Sequence, residues 1–363
     1  MTDIRDALGL RKIINAAGPV SVLGGGAPGE AATAAALAIL PLPVEIAQLQ
    51  AIASEGIAAA FGCEAGCVTA GSAAGITVAV AAAMTGVDRK RVAQLPDTSG
   101  MKHRVMMQRG HDANFGAQVS QMIRLTGAAL DMIGRAERCE QDELRRALGP
   151  STAATVFVVS HHTAQSGMIP LSEFCAICHE SGVPVIVDAA GEHDPRDQLG
   201  AGADIVITSA HKNYGALTAG ILAGRRALIE ACLLQDVGIG RPMKVGKEGI
   251  ASVIAALDIW RCHGNAVYAD WTRRAGLAID ALRAVPGLRV ELAADRQGSP
   301  LNRARIHATN CDQIVRALAD GEPSIRVWQH GLPHGYFELD PRTVDDGEMQ
   351  ATCRAIRAIT AAR

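Results

Sequence analysis

The chain has 363 residues, of which 48% are hydrophobic and 20% charged, and its formal net charge at pH 7 is −2. This length suits one large core with a smaller domain, and the charge gives no basic excess of the kind that nucleic-acid binding needs. No N-terminal run has the form of a signal peptide, and Ala-rich segments such as 73–86 are interrupted too soon to span a bilayer. We therefore expect a cytoplasmic globular protein that binds neither nucleic acid nor membrane.

The cysteines indicate a reducing compartment. Their number, nine, is odd, and they are scattered through segments that predict helices and strands. Cys175 and Cys178 form a Cys-x-x-Cys motif, but they lie in an amphipathic helical pattern without a second cysteine pair nearby. The pattern favours buried structural thiols over a redox or metal site, and we predict no metal.

The first part of the chain contains a candidate anion site. Residues 1–18 predict an N-terminal helix and arm, and the spacing of apolar residues predicts a long helix over 43–61. A short strand at 67–70 then leads into the glycine-containing turn 71–75 and an Ala-rich helix. The free N–H groups and the dipole of such a helix N-terminus suit a phosphate. Glycine and alanine at these positions could equally serve close helix packing.

Two further strands are followed by histidines. The predicted strand 105–107 precedes His111, for which a satisfied loop histidine is the plainer interpretation. The predicted strand 155–160 leads into His161 and His162. Adjacent residues of an extended chain point to opposite sides, so these two histidines are not expected to share a metal.

The centre of the chain carries a carboxylate and a lysine at the ends of neighbouring strands. The β-branched run 183–188 ends on Asp188, the run 203–209 leads to Lys212, and a third run follows at 219–224. In open α/β sheets ligands collect at the carboxyl ends of strands, so these two side chains should share one crevice. Such a lysine can attach pyridoxal phosphate covalently while the carboxylate keeps the pyridine nitrogen protonated. A surface salt bridge is the plainer alternative.

Two segments carry a family resemblance. Ser209-Ala210-His211-Lys212, followed by a Gly-rich strand, resembles the lysine segment of fold-type I pyridoxal phosphate enzymes such as the cysteine desulfurases. Gly-Ile-Gly-Arg-Pro-Met-Lys-Val-Gly-Lys-Glu, at 238–248, is similar to a segment of the selenocysteine synthase-like group, and in particular of the D-glucosaminate-6-phosphate ammonia-lyases. The resemblance runs from about Leu10 to the C-terminus. It implies an α/β, aspartate aminotransferase-like fold with a seven-stranded, mostly parallel sheet, and a homodimer or larger homo-oligomer with active sites at the interface.

The resemblance also implies roles for individual residues. Lys212 would carry pyridoxal 5'-phosphate and remove the α-proton, Asp188 would pair with the pyridine nitrogen, and His111 would stack on the ring. The remaining cofactor contacts would be Ser72, Ala73 and Ala74 at the phosphate, Ser209 and His211 beside it, and His162 or Gln165 at the phenolic oxygen. The substrate anion would be bound by Arg241, with Lys244 and Lys247 as further candidates and Arg326 as the next alternative.

The order of predicted elements divides the chain into domains. Alternating strands and helices through about residue 235 predict a parallel sheet covered on both faces. A helix from Ile250 to about Val285 and a final helix at 346–362 enclose short strands near 288–292, 303–307, 325–328 and 336–339, a pattern typical of an α+β domain. We expect an arm at 1–18, a large cofactor-binding domain at 19–235 and a small domain at 236–363.

The predicted chemistry begins with a carbanion at the α-carbon of an amino acid or amino sugar acid. Elimination of a β-substituent, as in an ammonia-lyase or dehydratase, would give a 2-keto acid and ammonia. A racemase or epimerase would return the proton to the opposite face. A tRNA-dependent selenium transferase is disfavoured by the charge of −2 and by an opening motif at 13–18, earlier than in that family. A cofactor-free binding protein is disfavoured by the presence of both Asp188 and Lys212.

Overall fold

The computed structural model describes residues 3–160, 163–264, 266–295 and 300–361. By internal packing the chain divides into two compact units, one formed by Pro28–Cys262 and the other by Met1–Ala27 together with His263–Arg363. The predicted domain boundaries after residues 18 and 235 each fall inside one of these units. Among the described residues, none of the helices has the length and apolar character that crossing a bilayer requires.

Helices and strands alternate along most of the described chain. The helices are α1 (Ile4–Leu8), α2 (Glu30–Ile39), α3 (Ile46–Phe61), α4 (Ser72–Thr85), α5 (Arg89–Gln94), α6 (Val119–Arg124), α7 (Gln141–Ala147), α8 (Leu171–Glu180), α9 (Arg196–Gly200), α10 (Ala210–Asn213), α11 (Arg226–Leu234), α12 (Lys247–His263), α13 (Ala266–Leu282), α14 (Cys311–Asp320) and α15 (Asp346–Ala361). The strands are β1 (Ile13–Ala16), β2 (Ala65–Thr69), β3 (Arg104–Gln108), β4 (Ala129–Ile133), β5 (Thr152–Val158), β6 (Val185–Asp188), β7 (Ile205–Ser209), β8 (Gly220–Gly224), β9 (Arg289–Ala294), β10 (Asn302–His307), β11 (Ser324–Val327) and β12 (Tyr336–Leu339).

The larger unit is built on a seven-stranded sheet with the strand order β2-β8-β7-β6-β5-β3-β4. All neighbouring pairs are parallel except those of β8, which runs antiparallel to both β2 and β7. The predicted seven-stranded, mostly parallel sheet is therefore confirmed, although β4 was not predicted. The hydrophobic pattern of β4 is weak because this strand lies half exposed at the edge of the sheet. An edge strand does not need the continuous apolar run of a fully buried strand.

Both faces of the sheet are covered, and alternation along the strands assigns side chains to each face. Ile186 of β6 and Ile207 of β7 pack in one core cluster with Ile76 of α4, whereas Val187 and Phe174 of α8 belong to a cluster on the other face. Because side chains two residues apart share a face, Asp188 and Ser209 lie on the α4 side.

The edge strand β2 is covered by helix α3. The Gln50 side chain donates to the Val68 carbonyl at 2.8 Å and accepts from the Val68 N–H at 3.0 Å, and it is almost fully buried. Ser54 Oγ accepts from the Gly66 N–H at 3.0 Å. These side chains take the backbone hydrogen-bonding positions that a further strand would use.

The smaller unit contains two sheets. An antiparallel sheet has the order β12-β10-β9, and β1 pairs in parallel with β11. The hydrophobic core of this unit includes Phe337, Ile306 and Ile356. The four predicted strands are confirmed, but the expectation of a plain arm at 1–18 missed β1, since a four-residue strand has too short a pattern to be recognised without its partner.

One predicted helix is wrong. The expected continuous helix from Ile250 to about Val285 is two helices, because α12 ends at His263 and α13 begins at Ala266. Between them Gly264 has φ +46°, a left-handed conformation that ends a helix and that glycine adopts without strain. The apolar spacing is similar on both sides of the break, so periodicity alone did not reveal it.

Candidate active site

Asp188 and Lys212 lie at the carboxyl ends of adjacent parallel strands. Asp188 is opposite Ile207 in the β6–β7 register, and the short helix α10 that carries Lys212 begins directly after Ser209. Asp188 is only 6% exposed. Burial raises the pKa of its carboxyl group to about 6, and the nearby charge of Lys212 lowers it in part. The structure thus brings the predicted carboxylate and lysine into electrostatic contact.

The N-terminus of α4 offers backbone donors on the same face of the sheet. Its first turn is formed by the half-buried residues Ser72, Ala73 and Ala74, and the capping residue Gly71 supplies no side-chain acceptor. The first intrahelical bond runs from the Gly75 N–H to the Gly71 carbonyl at 2.9 Å. The N–H groups before Gly75 therefore have no partner within the helix and can bind an anion.

Gly220 brings this helix end close to the strand that precedes Lys212. It pairs with Ser209 across β7–β8 and with Thr69 across β2–β8. A Cβ built at position 220 would come within 2.6 Å of the Gly71 oxygen and 2.7 Å of the Ser72 nitrogen. Only a residue without a side chain allows this approach, which places Ser209 beside the turn that leads into α4.

The other polar residues of the lysine segment face each other. Ser209 Oγ and His211 Nδ1 are 3.2 Å apart. Burial and the charge of Lys212 both lower the pKa of His211, which keeps the imidazole neutral near pH 7. While this hydrogen bond is kept, one of the two groups can donate to a phosphate: the Ser209 hydroxyl if His211 Nδ1 carries the ring proton, or the His211 Nε2–H if the hydroxyl donates to Nδ1.

His111 lies deeper than the sequence suggested. It is fully buried, its Nδ1 accepts from the Val158 N–H at 3.3 Å, and its ring meets Phe157 edge to face with centroids 4.4 Å apart. Burial lowers its pKa to about 4, and a backbone contact with Ala164 raises it in part. The ring therefore supports the end of β5, and stacking on a cofactor, which needs an open ring face, stays a prediction.

The candidates for the phenolic oxygen are only partly described. His162, like His161, lies outside the described residues. Gln165 donates through Nε2 to the Val158 carbonyl at 2.9 Å and to Thr163 Oγ1 at 2.6 Å. The peptide groups at the end of β5 are thus held by two side chains, His111 and Gln165, a support that the sequence did not indicate.

The predicted anion-binding loop contacts the strand end before α4. The Met243 carbonyl, in a single 3₁₀ turn that begins at Arg241, accepts from the Ala70 N–H at 3.3 Å. Arg241 and Lys244 are exposed, and their charges partly lower the pKa of Asp236, which burial raises. These cations therefore lie in the same unit as the backbone donors of the α4 N-terminus and next to the segment that leads into them.

The remaining basic candidates have different surroundings. Lys247 donates through Nζ to the Leu42 carbonyl, a contact that holds a loop. Arg326 lies on β11 in the smaller unit, where its Nε is buried without a hydrogen-bond partner among the described residues. An unpaired guanidinium N–H suits a ligand carboxylate.

The Cys-x-x-Cys motif lies apart from these groups. Cys175 and Cys178 are buried in α8, and burial raises the pKa of each thiol to about 12. Such thiols stay protonated and unreactive at neutral pH, which is typical of structural cysteines.

The groups at this sheet end fit a phosphorylated pyridine aldehyde. An amine, Lys212, can bond to the aldehyde carbon, a buried carboxylate, Asp188, can pair with a ring N–H, and the open turn of α4 can bind the phosphate. Asn213, directly after Lys212, was missed by the sequence analysis, and its position beside the lysine was the only signal.

Comparison with known proteins gives the same picture. The family model for aminotransferase class-V matches residues 75–320. The chain is 36% identical to D-glucosaminate-6-phosphate ammonia lyase of Salmonella typhimurium over 98% of each chain. It is also 36% identical to 5'-C-glycyluridine monooxygenase-decarboxylase of a Streptomyces species, over 84% of this chain and 79% of that protein.

Comparison with solved structures shows the same relationship. A structure of D-glucosaminate-6-phosphate ammonia-lyase covers 100% of this chain, which covers 99% of it, with a TM-score of 0.90 and 36% identity. Aspartate aminotransferase of Thermus thermophilus shares the fold with a TM-score of 0.55 and 13% identity. The match covers 98% of this chain and 94% of the aminotransferase chain. The predicted resemblance, aspartate aminotransferase-like fold and pyridoxal phosphate cofactor are confirmed, and the chain belongs to the aminotransferase class-V family of pyridoxal phosphate enzymes.

Proposed function

We propose that this enzyme catalyses α,β-elimination on an amino acid or amino sugar acid and releases a 2-keto acid and ammonia. The observation that carries the proposal is the placement of Asp188 and Lys212 at the ends of β6 and β7, on the side of the open α4 N-terminus. The name of the ammonia lyase relative, which matches over nearly the whole chain, supports the same reaction class.

Each residue has a definite task in this reaction. Bound pyridoxal phosphate supplies an electron sink for the negative charge that develops at the substrate α-carbon. Lys212 Nζ takes the α-proton, because it is the basic group next to the buried carboxylate. The Asp188 carboxylate would keep the ring nitrogen protonated, so that the ring can accept the negative charge from the α-carbon. The first-turn N–H groups of α4, with Ser209 and His211, hold the phosphate.

The substrate contacts are proposed from charge and position. Arg241 can bind a carboxylate or phosphate through two parallel hydrogen bonds, and Lys244 adds positive charge to the same exposed loop. Arg326, with its unpaired buried Nε, is the alternative for the substrate carboxylate. An acidic substrate is consistent with the phosphorylated amino sugar acid in the name of the ammonia lyase relative.

Two other reactions start from the same site. A racemase needs a second proton donor on the far side of the substrate, and His111, one candidate, is buried with a pKa lowered to about 4. That histidine is a poor acid at neutral pH, which favours elimination. The monooxygenase-decarboxylase relative is as similar in identity as the ammonia lyase, so oxidative decarboxylation is the second candidate.

A product assay distinguishes these reactions. Purified enzyme with added pyridoxal phosphate is incubated with D- and L-amino acids and with amino sugar acids, with and without a 6-phosphate. Equal amounts of 2-keto acid and ammonia support elimination. An inverted amino acid without ammonia supports a racemase. Oxygen uptake with carbon dioxide release supports oxidative decarboxylation. Either of these results, if no 2-keto acid forms, contradicts elimination.

Assembly and location are proposed on separate grounds. We expect a homodimer or larger homo-oligomer, because Leu40, Leu42 and Val44 between α2 and α3 expose apolar side chains beyond what a monomer surface favours. Light scattering on the purified enzyme tests this, and a monomer would contradict it. A cytoplasmic location is supported by the cysteines, since all nine are free thiols in the structure.

A further inference from the structure

Asn213 connects the lysine segment to the loop after Asp188. Three acceptors lie within hydrogen-bond distance of its Nδ2, the Ala190 carbonyl at 3.1 Å, the Glu192 carbonyl at 2.7 Å and Thr208 Oγ1 at 3.0 Å, and they share its two N–H groups. The side chain is only 6% exposed. Two carbonyl oxygens can face only the NH₂ side of the amide, so these contacts fix its orientation.

Ala190 extends this connection to the carboxylate through its backbone. Its N–H donates to Asp188 Oδ1 at 3.1 Å, while its carbonyl accepts from Asn213. The path from Asp188 to the residue next to Lys212 therefore passes through Ala190, whose N–H and carbonyl belong to two successive peptide groups, each held by one of these hydrogen bonds. Strand β7 holds the loop as far as Ala189, whose N–H donates to the Ile207 carbonyl at 2.9 Å, and the Ala190 contacts lie beyond that point.

Thr208 supports the same arrangement from the other side. Its hydroxyl is fully buried and donates to the Glu192 carbonyl at 3.0 Å, so it accepts the Asn213 bond through a lone pair. Tyr214 donates to the same hydroxyl at 3.4 Å. The Thr208 hydroxyl thus joins Asn213 to the same Glu192 carbonyl that Asn213 itself contacts.

We propose that Asn213 is a positioning residue that sets the Asp188 carboxylate relative to Lys212. The inference rests on the proposed cofactor roles of those two residues. Asn213 contacts neither the reacting atoms nor the phosphate donors in this arrangement. It acts through the Ala190 backbone, and its loss should therefore affect the proton-transfer step more than substrate binding.

The test compares Asn213→Asp and Asn213→Ala with the wild-type enzyme. The aspartate variant keeps the side-chain shape and replaces the donor by an oxygen that faces two carbonyls, so the loop must move. We expect kcat to fall about 10- to 100-fold with KM changed by less than about threefold, since supporting hydrogen bonds and small misplacements have effects of this size. The pH titration of the lysine-bound cofactor's absorbance should shift as well.

A measurement on the cofactor-free protein tests the positioning role without relying on catalytic activity. Hydrogen exchange, measured by mass spectrometry, should become faster in the segment 189–195 of both variants and stay unchanged elsewhere in the sheet. Thr126→Val is the matched control, because it removes a buried hydroxyl that donates to the Ile123 carbonyl at 2.7 Å, outside this cluster. We expect that control to keep wild-type kinetics and titration.

The outcomes separate this inference from the proposed function. Wild-type kinetics, titration and exchange in Asn213→Ala would overturn the positioning role, and so would faster exchange spread over the whole unit. If Asn213→Asp does not fold, Asn213→Ala, which adds no charge, decides the question. A wild-type protein that does not attach the cofactor at Lys212 would instead remove the proposed function.

Discussion

Gly220 and Ser72 touch through their backbones, since a Cβ at position 220 would come within 2.7 Å of the Ser72 nitrogen. That nitrogen is one of the donors proposed for the cofactor phosphate. Gly220→Ala should push the α4 N-terminus away and weaken pyridoxal phosphate binding about 10- to 100-fold, because overpacking costs roughly 1–3 kcal/mol. Fluorescence titration of the cofactor-free protein measures the change.

Gly56→Ala is the control for that substitution. A Cβ at position 56, inside α3, meets no atom within 4 Å. The same chemical change should therefore leave cofactor affinity as in the wild type. Equal losses in both variants, or none in Gly220→Ala, would refute the close contact as the cause.

Lys212 should be the single attachment point of the cofactor. Lys212→Ala removes the amine and is expected to abolish both covalent attachment and turnover, while the fold is kept because the side chain is half-buried in a four-residue helix. Borohydride reduction of the wild-type enzyme followed by peptide mapping locates the adduct. Finding it on Lys102 or Lys244 would disprove the assignment.

Asp188 makes the cofactor-free protein sensitive to pH. Its folded-state pKa of about 6 lies above the ordinary value of 3.8, so ionisation opposes folding, fully above pH 6 and not at all below pH 3.8. Asp188→Asn keeps the acceptor for Ala190 and removes this cost. At pH 8 the cofactor-free variant should be more stable than the wild type by up to about 3 kcal/mol, a gap that closes towards pH 4.

Urea unfolding of both proteins across that pH range measures the gap. With cofactor bound, the variant should be the less active of the two proteins, because it lacks the negative charge that would pair with the ring nitrogen. Exchange of the substrate α-proton should slow far more than cofactor affinity falls. Unchanged exchange would count against the role of Asp188.

His111 contributes an opposite pH dependence. Its pKa is lowered to about 4 by burial, so the neutral ring stabilises the folded state above pH 6.5, and this contribution is lost as pH falls through 4. His111→Asn retains an acceptor for the Val158 N–H and does not titrate. Between pH 6.5 and 4 the wild type should lose roughly 3 kcal/mol of unfolding free energy relative to this variant, because the other titrating groups, Asp188 among them, act equally in both proteins. Parallel curves would contradict this.

Arg241 should affect turnover as well as affinity. Arg241→Lys keeps the charge but not the planar pair of donors, so a bound substrate carboxylate would lose its fixed orientation. We expect kcat/KM to fall about 10- to 100-fold, with a loss in kcat included. Lys244→Arg, in the same exposed loop, is the control and should change kcat little. Wild-type kinetics in Arg241→Lys would direct attention to Arg326.

The sequence was sufficient for the parts of the molecule that have a local signal. The strands that end at Asp188 and Ser209 are β-branched runs, and Lys212 was recognisable from Ser209 and His211 beside it. Support from distant residues was not predictable. The pairing of β1 with β11 and the bonds from Asn213 to the loop after Asp188 depend on tertiary contacts between segments whose local patterns are short. The burial of His111 depends in the same way on Phe157.

The side-chain amide of Gln50, on α3, is bonded to the edge strand β2 and limits how copies of this chain can associate. A sheet edge with free backbone groups can be extended by a strand from another molecule, which leads to open-ended polymers as easily as to dimers. Here the Val68 peptide groups are already occupied by a side chain of α3. Addition of a strand from another molecule is therefore blocked at Val68, and any association on this side of the sheet would have to use the outer surface of helices.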